Sequence, residues 1–230
     1  GVGGEATWQA GRALRSNILA LAAVVLETPA DRLDIREGKV WDILTGEART
    51  DLAELGRIAY FRPDTLGSFQ AELSVTRHFV PKAYPFTFTN GAMACHLEVD
   101  VDTGAIRLLK FWVIEDCGTI LNAQLVDEQI RGGLVQGIGP TLYEQCLYDE
   151  RGQLLNGNMA DYLVPMAAEM PDIEIGHVCT PTRSSELGSK GAGEAGTAGA
   201  PAAILNALND ALAPLNAELY DMPFTPEKVL

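Results

Sequence analysis

A glycine-rich segment near the carboxyl end of the sequence, residues 188–201, carries the residues best suited to chemistry. It places Lys190 and Glu194 among five glycines and is followed by a helical run, Ala202 to Ala213. Glycine lets a backbone approach a ligand closely, and a single carboxylate in such a loop suits general acid or base catalysis. The alternative is a surface linker with a solvated Glu194, but the segment lacks the serine-rich composition of flexible linkers. It therefore predicts a catalytic or binding loop around Glu194.

Residues 191–196 also fit the G-x-G-x-x-G pattern of dinucleotide-binding proteins. That fingerprint directly follows a strand and precedes a helix and a second strand. Here the last strand-like run, Ile173 to Cys179, ends well before Gly191, and the chain reaches Pro214 soon after the helix. A glutamate inside the loop would also repel the phosphates. The context therefore argues against a dinucleotide-binding fold.

The amino-acid composition argues against several classes of protein. The 230 residues can bury a sizeable core, in one large domain or in two small ones. A net charge of −14 argues against binding to nucleic acid or anionic membranes, and no apolar run has transmembrane length. The four cysteines and three histidines show none of the spacings of zinc or iron–sulfur sites. We expect a cytoplasmic protein with reduced thiols and no metal held by its side chains.

The hydrophobic pattern predicts the elements that must position the glycine-rich loop. It indicates a helix over residues 8–26, a hairpin over 33–40, a helix from Thr50 or Asp51 to Tyr60, hairpin strands over 93–101 and 106–115, a further hairpin over 148–155 and a strand over 171–180. Residues 62–92 are predicted to form strand and irregular loop. This irregular alternation favours the α+β class, with mixed or antiparallel sheets and glycine-rich loops.

A long helix is predicted from Asn122 to about Cys146, although four glycines lie between residues 132 and 139. Each glycine inside a helix costs roughly 1 kcal/mol relative to alanine. We expect close packing against another backbone, or against a ligand, to compensate for this cost.

Three motifs occur in order: Asp116-Cys117-Gly118 followed by Asn122, then Gln136-Gly137-Ile138-Gly139, then the KGAGEAG run of residues 190–196. Together they resemble the molybdopterin-binding large subunit of the molybdenum hydroxylases, the group of xanthine oxidase, aldehyde oxidoreductase and carbon monoxide dehydrogenase. The resemblance covers nearly the whole chain. It implies a C-terminal molybdopterin-binding domain over residues 1–230, as a fragment or a separate subunit of a longer molybdenum subunit. It also implies a metal held by the dithiolene of a pterin, not by side chains.

The resemblance implies that Glu194 is the general base. In this family the glutamate of the KGxGE motif takes a proton from a hydroxyl group on the metal. The oxygen of that group then attacks an electron-poor carbon of an aldehyde or an N-heteroaromatic compound. A carboxylate suits this role where a dry site raises its pKa towards the working pH.

Further residues are implied as contacts of the cofactor. They are Gln136 through its amide, the loop residues Lys190, Gly191, Ala192 and Gly193, and an opening glycine loop of Gly3, Gly4, Glu5 and Ala6 before a helix starting at about Thr7. For Lys190, three roles stay open: neutralising a cofactor phosphate, neutralising Glu194, or capping carbonyls of its own loop. Asp116 and Cys117 are interpreted as residues that shape a strand end.

The resemblance implies an enzyme that is inactive without its partners. Because Ala195-Gly196 resembles the bacterial members, we expect the cytosine dinucleotide form of the cofactor. [2Fe–2S] clusters and FAD are expected on partner subunits only, beside the remaining N-terminal part of the molybdenum subunit and a small-molecule substrate. The alternative function is a non-catalytic cofactor-binding or assembly module of the same fold. The sequence leaves the substrate open among purines, N-heteroaromatics, aldehydes and carbon monoxide.

Overall fold

The computed structural model describes residues 1–81 and 87–230. The chain divides into two compact units: an N-terminal unit, Val2–Pro85, and a C-terminal unit, Phe86–Leu230 together with Gly1. The single domain over residues 1–230 stays a prediction. No helix in the described parts of the chain is long and apolar enough to cross a membrane.

The N-terminal unit combines two helices with a small antiparallel sheet. Its elements are α1 Val2–Leu26, β1 Leu33–Arg36, β2 Lys39–Asp42, β3 Glu47–Asp51 and α2 Leu52–Phe61, with short 3₁₀ helices at Ala30–Arg32 and Pro63–Leu66. The strands pair in the order β1-β2-β3. Leu21, Val40 and Leu55 are buried in a core that helix and sheet share.

Two predictions for this unit are confirmed. The hairpin turns at Glu37 and Gly38, which both have positive φ, as a tight two-residue turn requires. Helix α2 begins after Asp51, whose side chain accepts a hydrogen bond of 2.7 Å from Glu54 N and so caps the first turn. Strand β3 was not predicted.

The opening glycine loop is a wrong prediction, because helix α1 already begins at Val2 and includes Gly3, Gly4, Glu5 and Ala6. Thr7 Oγ1 donates a hydrogen bond of 2.9 Å to Gly3 O, one helical turn back. Glu5 in the first turn also interacts favourably with the helix dipole. Once the downstream helix exists, each added residue gains one backbone hydrogen bond without a new nucleus, which offsets the cost of glycine.

The C-terminal unit is a three-stranded sheet covered by helices. Its elements are β4 Asn90–Val99, β5 Ile106–Asp116, α3 Ala123–Leu142, β6 Asp172–His177, α4 Ala195–Ala198, α5 Ala200–Leu212 and α6 Pro226–Val229, with 3₁₀ helices at Ala167–Glu169 and Ala213–Leu215. β5 lies in the centre, antiparallel to β4 and parallel to β6. This mixed sheet confirms the predicted α+β class.

Helices α3 and α5 supply the apolar partners of the sheet. Phe111 of β5 lies in one core with Leu134 of α3 and Ile204 of α5, and all three side chains are fully buried. The opposite face of β5 exposes Trp112 and Ile114. The sheet therefore packs its helices on the face that carries Phe111.

Most predicted elements of this unit are confirmed. The hairpin turns at Gly104 with positive φ, and α3 starts after Asn122, whose side chain accepts from Leu125 N at 3.0 Å. The predicted hairpin over residues 148–155 is reduced to one bridge, Tyr148 with Leu154. Of residues 62–92, the described part forms strand only from Asn90 onwards, and residues 82–86 lie outside the description.

Candidate active site

The glycine-rich loop is joined to the end of β5 by backbone hydrogen bonds, so it is not a free linker. Gly118 and Ser189 form an antiparallel bridge, and Lys190 N donates to Cys117 O at 2.8 Å. Gly118 has a φ of 71°, and a side chain there would collide with the carbonyl of Gly188. The interpretation of Asp116 and Cys117 as residues that shape a strand end is thereby confirmed.

Asp116 and Lys190 form an ion pair under this loop, with 3.2 Å between Oδ2 and Nζ and both side chains largely buried. Asp116 also accepts hydrogen bonds from the backbone N–H groups of Thr180, at 3.0 Å, and Gly118, at 2.9 Å. These N–H groups, with the Lys190 ammonium, hold the pKa of Asp116 well below its usual value. The partner of the Lys190 ammonium is thus Asp116, which none of the three roles considered for this lysine included.

The loop is held on its other side by the glycines of α3, which confirms the expected close packing of that helix. A Cβ on Gly133 would lie 3.1 Å from Gly196 Cα, and one on Gly137 would lie 2.7 Å from Ala200 Cβ. Thr197 Oγ1 donates to Gly133 O at 2.9 Å. Side chains at these positions would push α4 away from α3. The two glycines therefore set the position of the loop.

Gln129 of α3 forms a hydrogen bond to the glycine-rich loop. Its Nε2 donates a hydrogen bond of 2.8 Å to the carbonyl of Gly193, the residue before Glu194. The backbone on both sides of Glu194 is therefore fixed to one helix, at Gly193 and at Thr197.

Glu194 occupies the N-cap position of α4, and its side chain makes no capping hydrogen bond. The residue is exposed in this chain. It lines a cleft of about 660 Å³, and the wall of this cleft from Gly191 to Ala203 consists largely of glycine and alanine. The small side chains leave the backbone of this wall open to a bound molecule.

A second carboxylate, Glu115, lines the same cleft and was missed in the sequence. It is buried, at 2% exposure, and burial raises the pKa of its carboxyl group. The signal was present: Phe111, Val113 and Glu115 alternate along β5, so a charged residue continues the buried face of the strand.

Gln136 lies on α3 beside Gly137 and is exposed. It is not among the described residues that line the cleft of Glu194, so the structure does not bring these two side chains into one cleft. Gly3, Gly4, Glu5 and Ala6 belong to the N-terminal unit, where Glu5 is buried.

Comparison with known proteins identifies the cofactor of this fold. The family described as the molybdopterin cofactor-binding domain matches residues 1–171. The chain belongs to this family. The match ends before the glycine-rich loop, which is covered by the pairwise similarities below.

Relatives of the chain carry the names of redox enzymes. It is 38% identical to the nicotine 6-hydroxylase large subunit of Paenarthrobacter nicotinovorans, over 100% of this chain and 28% of that protein. It is 31% identical to the carbon monoxide dehydrogenase large chain of Afipia carboxidovorans, over 96% of this chain and 27% of that protein. The predicted resemblance to the molybdopterin-binding region of molybdenum hydroxylases is confirmed.

Solved structures agree with this assignment. Quinoline 2-oxidoreductase from Pseudomonas putida 86 superimposes with a TM-score of 0.79 at 37% identity, over 96% of this chain and 28% of that one. The chain thus spans little more than a quarter of the relatives that it matches.

The residues present fit a molybdopterin cofactor held through backbone groups. A Cβ on Gly193 would have no heavy atom within 4 Å, so this part of the loop is open for close approach. Among the described residues, no group of three or more His, Cys, Asp or Glu side chains could hold a metal ion directly.

Proposed function

We propose that this chain is the part of a molybdenum hydroxylase that carries the catalytic base, Glu194. The observation that carries the proposal is the position of Glu194. The residue is exposed, its side chain makes no capping hydrogen bond, and it lies at a cleft with one wall of glycine and alanine, on a loop fixed by β5 and α3. When bound, the molybdenum cofactor would supply the electron acceptor and the water-derived oxygen. Glu194 would take up the proton that the hydroxylation releases.

The loop contributes position as well as chemistry. A base acts only within hydrogen-bond reach of the proton that it removes, so its backbone must not drift. The hydrogen bonds from Gln129 to Gly193 O and from Thr197 to Gly133 O restrain the backbone on either side of Glu194. The Asp116–Lys190 pair restrains the start of the loop. We assign a positioning role to these groups.

For the cofactor, we propose contacts from Gln136 and from the loop residues Lys190, Gly191, Ala192 and Gly193. Because the ammonium of Lys190 is paired with Asp116, its contribution would come from its backbone. The exposed amide of Gln136 can both donate and accept hydrogen bonds.

For the N-terminal unit, we propose that Gly3, Gly4, Glu5 and Ala6 contact the pterin or its phosphates. The first N–H groups of an α-helix lack partners within the helix and suit an anion. The helical start at Val2 places the N–H groups of Gly3 and Gly4 among these, and so supports this part of the proposal in place of the loop expected from the sequence.

The complete enzyme is proposed to be a complex in the cytoplasm. We infer partners in the rest of the molybdenum subunit, an iron–sulfur subunit with [2Fe–2S] clusters and an FAD subunit, and a cofactor in the cytosine dinucleotide form. The relatives named as a large subunit and a large chain support a multi-subunit assembly. The names nicotine 6-hydroxylase and quinoline 2-oxidoreductase favour an N-heteroaromatic substrate over an aldehyde.

The decisive experiment is single-turnover reduction of the assembled Glu194→Gln variant by its substrate. Glutamine keeps the size of the side chain but accepts no proton at neutral pH, and loss of a positioned base costs about 10²- to 10⁴-fold in rate. Molybdenum content should match the wild type, because Glu194 is not proposed to bind the metal. Glu150→Gln, an exposed glutamate in the turn after Asp149, is the control and should react at the wild-type rate.

A Glu194→Gln rate within a few-fold of the wild type would contradict the proposal. If the complex instead carried molybdenum but was not reduced by substrate, in the wild type or in any variant, the alternative of a non-catalytic cofactor-binding or assembly module would be favoured.

A further inference from the structure

Among the described residues that line the cleft beside Glu194, one ionisable group is deeply buried. Glu115 is the penultimate residue of β5 and lines the cleft at 2% exposure, whereas Glu194 at the same cleft is exposed. Two carboxylates therefore line the same cleft: that of Glu115 is buried and that of Glu194 is exposed.

The backbone opposite Glu115 leaves room for its carboxylate. Gly91 on β4 is its cross-strand neighbour, and a Cβ on Gly91 would lie 2.6 Å from Glu115 Oε2. Any larger residue at this position would force the carboxylate out of its place. The fold therefore accommodates a buried acid where an apolar side chain would pack more readily.

The hydrogen bonds of Glu115 are incomplete. In the described parts of the chain, the one hydrogen bond to its carboxylate comes from Thr89 Oγ1 at 3.4 Å, and the same hydroxyl lies 3.0 Å from Asp116 O. A carboxylate offers about four acceptor positions, and leaving them unfilled in a buried site is costly. A ligand that donates hydrogen bonds to Glu115 would offset this cost.

The charge of the cleft restricts which kind of ligand can donate hydrogen bonds to Glu115. Among the described residues that line it, none is lysine, arginine or histidine. The nearby Lys190 ammonium is held by Asp116 at 3.2 Å, and His177, across from Glu115 on β6, is held by Asp127 at 2.6 Å. Within the described lining, an anion would therefore meet two acids and no free cation.

We propose that Glu115 is a specificity-determining residue, which binds a nitrogen group of the substrate so that the cleft accepts cationic or neutral nitrogen compounds and rejects anionic ones. The contact is an ion pair or hydrogen bond from an N–H group of the ligand to the Glu115 carboxyl. This inference rests on the proposed function, because it takes the cleft of Glu194 as the substrate site. It concerns binding and leaves the proton transfer to Glu194.

The test compares three pyridines with the same ring and different charge: 3-(aminomethyl)pyridine as the cation, nicotinamide as the neutral compound and nicotinate as the anion. Their dissociation constants are measured by calorimetry on the assembled, oxidised complex at pH 7. The wild type should bind the cation and the amide more tightly than nicotinate. Glu115→Gln should weaken binding of the cation by roughly ten- to a hundredfold, the size of a charge-assisted hydrogen bond.

The matched control is Glu98→Gln, which removes an exposed carboxylate from β4, on the same sheet and outside the cleft. Its affinities should equal those of the wild type. An unchanged preference in Glu115→Gln would overturn the proposal, as would wild-type protein that binds nicotinate as tightly as the cation or binds no cation at all. If Glu115→Gln does not fold, wild-type protein that binds nicotinate as tightly as the cation would still overturn the proposal.

The two proposals fail in different ways. If Glu194→Gln abolishes reduction while the charge preference does not depend on Glu115, only the specificity proposal is wrong. If the preference depends on Glu115 while Glu194→Gln reacts normally, only the role of Glu194 is wrong.

Discussion

Gly133 on α3 and Gly196 in α4 meet with their backbones in contact: a Cβ added to Gly133 would lie 3.1 Å from Gly196 Cα. A Cβ added to Gly196 would collide with the carbonyl of Ile130. Glu194 lies two residues before this contact. The distance between two helices therefore sets the position of the candidate base, and two glycines set that distance.

This contact predicts that Gly196→Ala destabilises the protein. Overpacking a close contact typically costs about 1–3 kcal/mol of unfolding free energy, and here the obstacle is backbone, which cannot rotate away. Gly132→Ala is the control, because a Cβ there meets nothing within 4 Å. It should stabilise α3 by up to about 1 kcal/mol through helix propensity. Urea unfolding measures both, and equal midpoints for the two variants would show that the glycine contact is not a constraint.

The Asp116–Lys190 pair predicts a pH-dependent contribution to stability. The pKa of Asp116 is lowered in the folded protein by the Thr180 and Gly118 N–H groups and by Lys190. A lowered pKa stabilises the fold above the unfolded pKa of about 3.9, and the contribution is lost as the pH falls through the lower, folded value. Asp116→Asn should therefore lower the free energy of unfolding at pH 7, and should lower it progressively less below pH 4.

The measurement is the free energy of unfolding of wild type and Asp116→Asn between pH 7 and pH 3. Asp172→Asn is the control, since this exposed carboxylate lies 3.6 Å from Lys110 at the surface. It should change stability by less than about 1 kcal/mol. If the difference in unfolding free energy between wild type and Asp116→Asn does not become smaller towards pH 3, the Asp116–Lys190 pair is not the source of that difference.

Gln136 gives a prediction about cofactor binding. Because its amide is exposed, Gln136→Ala should leave the unfolding free energy within about 0.5 kcal/mol of the wild type. If the amide binds the cofactor, the affinity for it should fall by roughly tenfold or more, as expected for a lost hydrogen bond to a charged group. Metal analysis of the purified complex reports the molybdenum content. Gln124→Ala, exposed in the first turn of α3, should retain full occupancy, and equal occupancy in both variants would remove Gln136 from the site.

The sequence by itself determined most local structure of this chain. Short-range rules were sufficient for the Glu37-Gly38 hairpin, the start of α3 at Asn122 and the Gly104 turn, because their causes lie within a few residues. The order of three short motifs also indicated the family, which the match over residues 1–171 shows. The start of α1 was predicted wrongly, since glycine content was given more weight than the extension of a long helix.

Only the tertiary structure decided which distant residues meet. The sequence suggested three partners for Lys190: a cofactor phosphate, Glu194 or carbonyls of its own loop. Lys190 instead pairs with Asp116, 74 positions earlier, because the chain at the end of strand β5 is bridged to the start of the loop. The glycines of α3 indicated close packing in the sequence, but the contact of Gly133 with Gly196 depends on how α3 and α4 cross. Glu115 reaches the cleft of Glu194 through the sheet register that puts it opposite Gly91. Such pairings depend on the summed packing of many side chains, and no local spacing in the sequence encodes them.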